Sequence, residues 1–212
     1  MRKTFLAITL FLAFSKAALA QFGNCTASEM RTYVDSATGN TITMLTDTMK
    51  NDRFLYQTDP MWTADGKYLL FRSSSRGNDK EVESTLPNGE KRKWTPTQIY
   101  FIEMATGKII QATEGPNLGS AFLANKTNRM FVSRKEKENW NMYVMDLNKF
   151  FADVKQGKVG KPSAYETFIG TFPTEMGRPG GYAVDCNDDY AYITAEREGT
   201  EEEKERMMKN AF

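Results

Sequence analysis

The chain is 212 residues long, with 28 basic and 27 acidic side chains, no histidine, two cysteines and 12% aromatic residues. So even a charge balance excludes nucleic acid or an anionic membrane as a partner held by overall electrostatics, and any anion recognition must be local. A hydrophobic content of 40% excludes a disordered chain and is enough for one ordinary core.

The N-terminus reads as an export signal. Arg2 and Lys3 precede the apolar run Phe5 to Phe14, and Ala18-Leu19-Ala20 offers small residues for cleavage after Ala20. Ten apolar residues are too few to cross about 30 Å of hydrocarbon, so no membrane span is expected after cleavage. The expected location is therefore periplasmic or secreted, with residues 1–20 as signal peptide and 21–212 as one domain. Cleavage also removes Lys16, leaving 25 basic against 27 acidic residues, a net charge of −2. An oxidising compartment permits a bond between Cys25 and Cys186; the alternative is a loose N-terminal thiol and a half-buried strand cysteine.

From Gln21 onward there is almost no helical periodicity before residue 196. Short β-branched and aromatic runs alternate with turn dipeptides, the pattern of many antiparallel strands. In chain order, Tyr33-Val-Asp-Ser-Ala-Thr-Gly39 leads to Leu45-Thr-Asp47, and Ala64-Asp-Gly-Lys-Tyr-Leu-Leu-Phe71 gives a turn followed by an apolar strand. The first pattern returns as Ile99-Tyr-Phe-Ile-Glu-Met-Ala-Thr-Gly107 with Ala112-Thr-Glu114. The second returns as Lys126-Thr-Asn-Arg-Met-Phe-Val132. Met142-Tyr-Val-Met-Asp-Leu-Asn148 keeps the first strand but loses the Thr-Gly turn, and Asn187-Asp-Asp-Tyr-Ala-Tyr-Ile193 closes the series.

Phe71, Phe131 and Tyr192 fall 60 and 61 residues apart. A period of this size with about four strands per unit predicts β-propeller blades. The expected fold class is all-β: a partial β-propeller of about three to four blades of four antiparallel strands, with a short C-terminal helix. Two insertions interrupt it, at about 73–93, polar with a Pro87-Asn88-Gly89 turn, and at about 149–178, richer in aromatics. Thr200 followed by Glu203 gives a capping box, which predicts a helix over about 200–212.

The residues also carry a family resemblance. Tyr33 to Asp47, Arg53-Phe-Leu-Tyr-Gln57, Met61-Trp-Thr-Ala-Asp-Gly-Lys-Tyr-Leu-Leu-Phe71, Gln111-Ala-Thr-Glu-Gly115, Gly119-Ser-Ala-Phe122, Tyr143-Val-Met-Asp-Leu147 and Gly180-Gly-Tyr-Ala-Val-Asp-Cys-Asn187 resemble, in order, the early blades of oligogalacturonate lyases. That resemblance implies a seven-bladed propeller that cleaves pectin fragments by β-elimination, using a histidine base and a manganese-type ion held by histidines and a glutamine. The chain has no histidine, so no catalytic residue and no metal ligand can be carried onto it. An early family motif, His-Arg-Asn-Tyr-Phe-Tyr-Gln, is replaced by Asn51-Asp-Arg-Phe-Leu-Tyr-Gln57. The expectation is the N-terminal part of such a lyase, inactive alone, whose partners are an acidic oligosaccharide and the later blades of the same propeller. The alternative is a TolB-like periplasmic propeller that binds other proteins.

The substrate-binding candidates are Arg53, Gln57, Arg72 and Arg178, because a guanidinium grips a uronate carboxylate with two hydrogen bonds. The competing reading for each arginine is a strand-edge surface charge. Tyr56 and Gln57 could meet sugar hydroxyls or pack in a strand; Trp62 and Trp140 could stack on a pyranose or fill blade cores. Arg134-Lys-Glu-Lys-Glu-Asn139 reads as a solvated hairpin tip.

Overall fold

The computed structural model describes residues 22–77, 81–85, 89–173 and 176–197. The expected signal peptide (1–20) and C-terminal helix (about 200–212) lie outside the described residues, as do Pro87 and Asn88 of the expected turn. The chain begins with β1 (Cys25–Thr26) and the hairpin β2 (Arg31–Val34) and β3 (Thr41–Met44). It continues with β4 (Asp52–Arg53), β5 (Tyr68–Ser73), β6 (Val82–Thr85), β7 (Lys91–Trp94), β8 (Gln98–Glu103) and β9 (Ile109–Gln111). Next come β10 (Leu118–Leu123), β11 (Arg129–Glu136), β12 (Asn139–Asp146), the helix α1 (Leu147–Gln156), β13 (Glu166–Thr171), β14 (Met176–Val184) and β15 (Ala191–Arg197).

The strands form antiparallel meanders. One sheet runs β4, β5, β8, β9, with β1 added outside β9; the next runs β10, β11, β12, β13. The pair β2–β3 precedes them and the pair β14–β15 follows. The fold is thus the expected all-β partial propeller. Two blades are complete among the described residues, and a pair of strands stands on each side.

The repeat is stricter than the sequence shows. Thr63, Ala124 and Asp185 each donate a backbone N–H to the carbonyl five residues on, in Tyr68, Arg129 and Tyr190, at 3.0 Å in every case. Those positions, 63, 124 and 185, are 61 residues apart both times. Leu70, Phe131 and Tyr192 are therefore equivalent, and Phe71 matches Val132, one residue away from the alignment read off the sequence. A slip of one residue exchanges the two faces of a strand. Phe71 accordingly packs with Tyr100, Ile102 and Ile109 against Leu45, beside the β2–β3 pair. Leu70 and Val132 meet in the layer between the complete sheets. Phe131 joins Phe122, Ala124 and Met142 against Tyr182 and Ile193 of the next pair. Each sheet buries both faces only by having neighbours, the physical requirement of stacked blades.

The region 149–178, expected as an insertion, is reassigned by the structure. Asp35, Glu103 and Asp146 occupy one equivalent place, the end of each blade's third strand. At the first two a Thr-Gly turn follows: the Thr38 hydroxyl donates to Asp35 at 2.7 Å and the Thr106 hydroxyl to Glu103 at 2.6 Å. Gly39 and Gly107 then take φ of 73° and 70°, which favours glycine. At the third, the Asp146 carboxylate instead accepts from the Lys149 N–H at 3.1 Å and caps α1. The helix lays Leu147, Phe150 and Phe151 on the inter-sheet layer. Phe151 stacks on Tyr68 with centroids 3.6 Å apart and meets Phe101 edge-on at 5.1 Å. The chain then returns through Tyr165, whose carbonyl accepts from the Asp146 N–H at 2.9 Å. So residues 166–171 are the fourth strand of that blade, and β14 begins the next at Met176. No helix was expected before residue 196; α1 is only ten residues long, and its apolar spacing follows directly on strand β12.

Two polar staples fix neighbouring blades. The Arg76 guanidinium, 6% exposed, donates to Glu29 at 2.6 and 2.9 Å and to Asp52 at 2.5 and 2.8 Å. The Asp188 carboxylate accepts from the N–H groups of Asn125, Lys126 and Thr127 and from the Thr127 hydroxyl, at 2.7 to 2.9 Å. Cys25 and Cys186 are free and exposed, and Cys186 sits in the turn between β14 and β15 rather than in a strand.

Candidate functional site

Meander topology sends alternate connections to opposite ends of the strands. The Asp-bearing turns and α1 lie at one end. At the other lie the β5–β8 and β11–β12 connections and the loops that enter β4 and β10. There the inner strands β4, β10 and β14 border a groove of about 1210 Å3.

Among the described residues, four cations line it, Arg53 from β4, Arg72 from β5, Arg92 from β7 and Lys135 from β11, with Asp59 as the single carboxylate. Aromatic walls come from Tyr56, Trp94, Phe122, Trp140, Tyr182 and Tyr192. Contrast with the other arginines is instructive. Arg76 is consumed by Glu29 and Asp52, and Arg134 by a two-pronged pair with Glu166 at 2.9 and 3.0 Å. Among the described residues, Arg53, Arg72, Arg92 and Lys135 make no ion pair; Arg53 Nε donates only to the neutral Asn51 side chain, at 3.3 Å. Cations at a groove without carboxylates of their own are available to an external anion.

Local sequence explains the placement. Gly119 lets β10 approach β11 and β12 closely: a Cβ there would lie 2.4 Å from Ser133 Oγ and 2.6 Å from the Trp140 ring. The ladder shifts register at the same point, between Leu118 and Ala121. Trp140 is thereby seated, half-buried, at the groove wall. Below it, the Ser133 hydroxyl pairs with Tyr182 at 2.8 Å and takes the Ser120 N–H at 2.9 Å, tying β10, β11 and β14 together beneath the floor.

Of the residues expected to bind substrate, Arg53 and Arg72 line the groove side by side on β4 and β5. Gln57 is exposed in the loop between Tyr56 and Thr58, which line the groove while Gln57 does not. Arg178 falls on β14, and its side chain lies outside the described residues. Tyr56 and Trp140 line the groove; Trp62 does not, and stays 47% exposed beside its bridge to Leu69. Arg92, Trp94 and Lys135 were missed. The alternation in Lys91-Arg-Lys-Trp94 was the available signal, hidden inside a stretch read as polar loop.

The groove does not fit a manganese-type ion. Such an ion takes carboxylate, imidazole or carbonyl donors, whereas among the described residues the groove offers one carboxylate beside four cations, and the sequence has no histidine. No group of three or more histidine, cysteine, aspartate or glutamate side chains suited to a metal occurs among the described residues.

No protein-family model and no curated protein matches the sequence. Solved structures do. An oligogalacturonate lyase in complex with manganese superposes with a TM-score of 0.53 at 20% identity, over 78% of this chain and 35% of that one. An oligogalacturonate lyase from Vibrio parahaemolyticus gives 0.53 at 21% identity, with the same coverage. This chain thus spans about a third of the length of the structures it matches, and what it shares with oligogalacturonate lyases, as the sequence resemblance implied, is the fold of that third.

Proposed function

We propose that this chain provides the N-terminal blades of an exported oligogalacturonate lyase and that its groove holds the acidic oligosaccharide. The observation that carries the reading is four cations without ion-pair partners among the described residues, set among aromatic walls on this fold. A uronate chain presents one carboxylate per sugar and flat apolar ring faces, which such a groove complements.

In β-elimination a base takes the C5 proton, the C–H electron pair becomes the C4=C5 double bond, and the C4–O4 bond breaks with O4 leaving as the alcohol. Charge builds on the carboxylate next to C5, and a guanidinium hydrogen-bonded to that carboxylate stabilises it. In this reading Arg53 and Arg72, which line the groove on adjacent strands, supply that guanidinium. The resemblance implies a histidine base, which this sequence lacks; in this reading the base belongs to later blades and the chain alone is inactive. Export follows from the signal-like residues 1–20; no helix among the described residues is long and apolar enough to cross a membrane.

The test combines calorimetric titration with an ultraviolet assay. The purified chain binds trigalacturonate and, with manganese added, releases no unsaturated product. Absence of binding refutes the substrate class, and a product formed by this chain alone refutes the division of labour.

A further inference from the structure

The connection between the second and third strands is not the same in the two complete blades. In the second it is the tight turn Glu136 to Asn139. In the first it runs from Ser74 to Thr97 and carries the extra hairpin β6–β7. The strand pattern of that hairpin is directional. Val82 stands opposite Trp94 and Ser84 opposite Arg92, while Glu83 faces Lys93 and Thr85 faces Lys91. Alternation puts the first set on one face and the second on the other. Val82 and Ser84 are half-buried, whereas Glu83 and Thr85 are exposed. Lys91 pairs with Glu83 at 2.7 Å on the outer face. Arg92 and Trp94 reach the groove, and Trp94 remains 37% exposed. Arg92 makes no ion pair among the described residues, although Glu83 and Glu90 lie close in sequence.

We infer that the β6–β7 hairpin is a recognition arm of the groove, with Arg92 selecting a free sugar carboxylate and Trp94 covering a sugar ring. This rests on the reading of the groove as an acidic-saccharide site and names the residues that give it preference for free over methyl-esterified uronate. An ester keeps the sugar's shape but removes the charge, so the preference between the two sugars reports on the cation. The arm reads charge and ring surface from one and the same face, two residues apart on β7. Its outer face, Glu83 with Lys91 and Lys93, contributes only solubility and hairpin stability.

The experiment is calorimetric titration of the whole chain with trigalacturonate and its methyl ester, comparing the unaltered protein with Arg92→Ala, Trp94→Ala and, as outer-face control, Lys93→Ala. Thermal melts confirm that each variant is folded. Arg92→Ala should weaken the acid about ten- to a hundredfold, the range of a charged hydrogen-bond pair, and leave the ester unaffected. Trp94→Ala should weaken binding without altering the preference, and Lys93→Ala should change neither. If the unaltered chain binds the acid and Arg92→Ala retains the full preference, the arm is refuted while the groove stands. If the unaltered chain binds neither sugar, the groove reading falls and takes the arm with it.

Discussion

Arg53 and Arg72 stand directly opposite each other across β4 and β5, and both guanidinium-bearing side chains line the groove. Like charges in a cross-strand pair oppose folding, by about 0.2 to 1 kcal/mol. Neither has a carboxylate partner among the described residues, unlike nearby Arg76. In the proposed reading, such a pair at a groove mouth leaves its charge for a ligand rather than the protein to neutralise.

Arg53→Gln and Arg72→Gln should therefore leave the melting temperature unchanged or slightly raised while weakening trigalacturonate binding. Thermal melts paired with calorimetric titration separate the effects. Loss of stability in either variant would mean that the arginine serves the fold.

Asp188 joins consecutive blades through four short hydrogen bonds to residues 125–127. It also takes φ of 65°, which asparagine tolerates. Asp188→Asn keeps the backbone and removes the charge, so its cost isolates the charged acceptor. Urea unfolding should show a loss of about 1 to 3 kcal/mol.

Phe151 is 5% exposed and seals α1 onto Tyr68 and Phe101. Phe151→Ala opens a cavity in the layer between the complete blades and should cost about 3 to 5 kcal/mol. Because α1 lies at the end of the strands opposite the groove, ligand affinity of the protein that remains folded should be unchanged.

Acid should loosen the blade junctions. Hydrogen bonds from Arg76 hold the Glu29 carboxyl below its ordinary range, and the Thr106 hydroxyl does the same for Glu103. Burial pushes Asp65 and Asp188 upward, but for Asp65 the hydrogen bonds from Thr63, Lys67 and Asn128 prevail and bring it to about 2. For Asp188 the amides of residues 125–127 and the Thr127 hydroxyl likewise prevail and lower it. Depressed carboxyls contribute stability above their unfolded values, near 4, and lose it as pH falls through the folded ones. Melting temperature should thus fall between about pH 4 and pH 2. Asp65→Asn should flatten the lower part of that fall.

Much of the fold was legible because turn chemistry repeats. The Ala64-Asp-Gly-Lys and Ala105-Thr-Gly turns mark the first complete blade, Ala37-Thr-Gly marks the pair before it, and Lys126-Thr-Asn-Arg with the apolar strand after it marks the second complete blade. Aromatic spacing alone was misleading: Phe71 looks equivalent to Phe131, but backbone pairing puts Leu70 in that place, because aromatic residues occur on both faces of a strand buried on both sides. The helix α1 was hidden for a related reason, since Asp146 ends a strand and caps a helix at once. At the groove, Arg53 and Arg72 were found from residue type and strand position. Arg92 and Lys135 were not, because they reach the groove only when a hairpin folds over it and two distant connections converge, contacts that have no local signature.

The most direct test is hydrogen exchange across the whole chain with and without oligogalacturonate. Binding in the groove predicts slowed exchange confined to the segments around Asn51 to Asp59, Arg72 to Ser74, Arg92 to Thr97, Asn117 to Phe122, Lys135 to Trp140, Gly181 to Ala183 and Tyr192 to Thr194, with α1 and the Asp-bearing turns unchanged. Protection centred on α1, or none at saturating ligand, would contradict the assignment of the acidic oligosaccharide to this end of the blades.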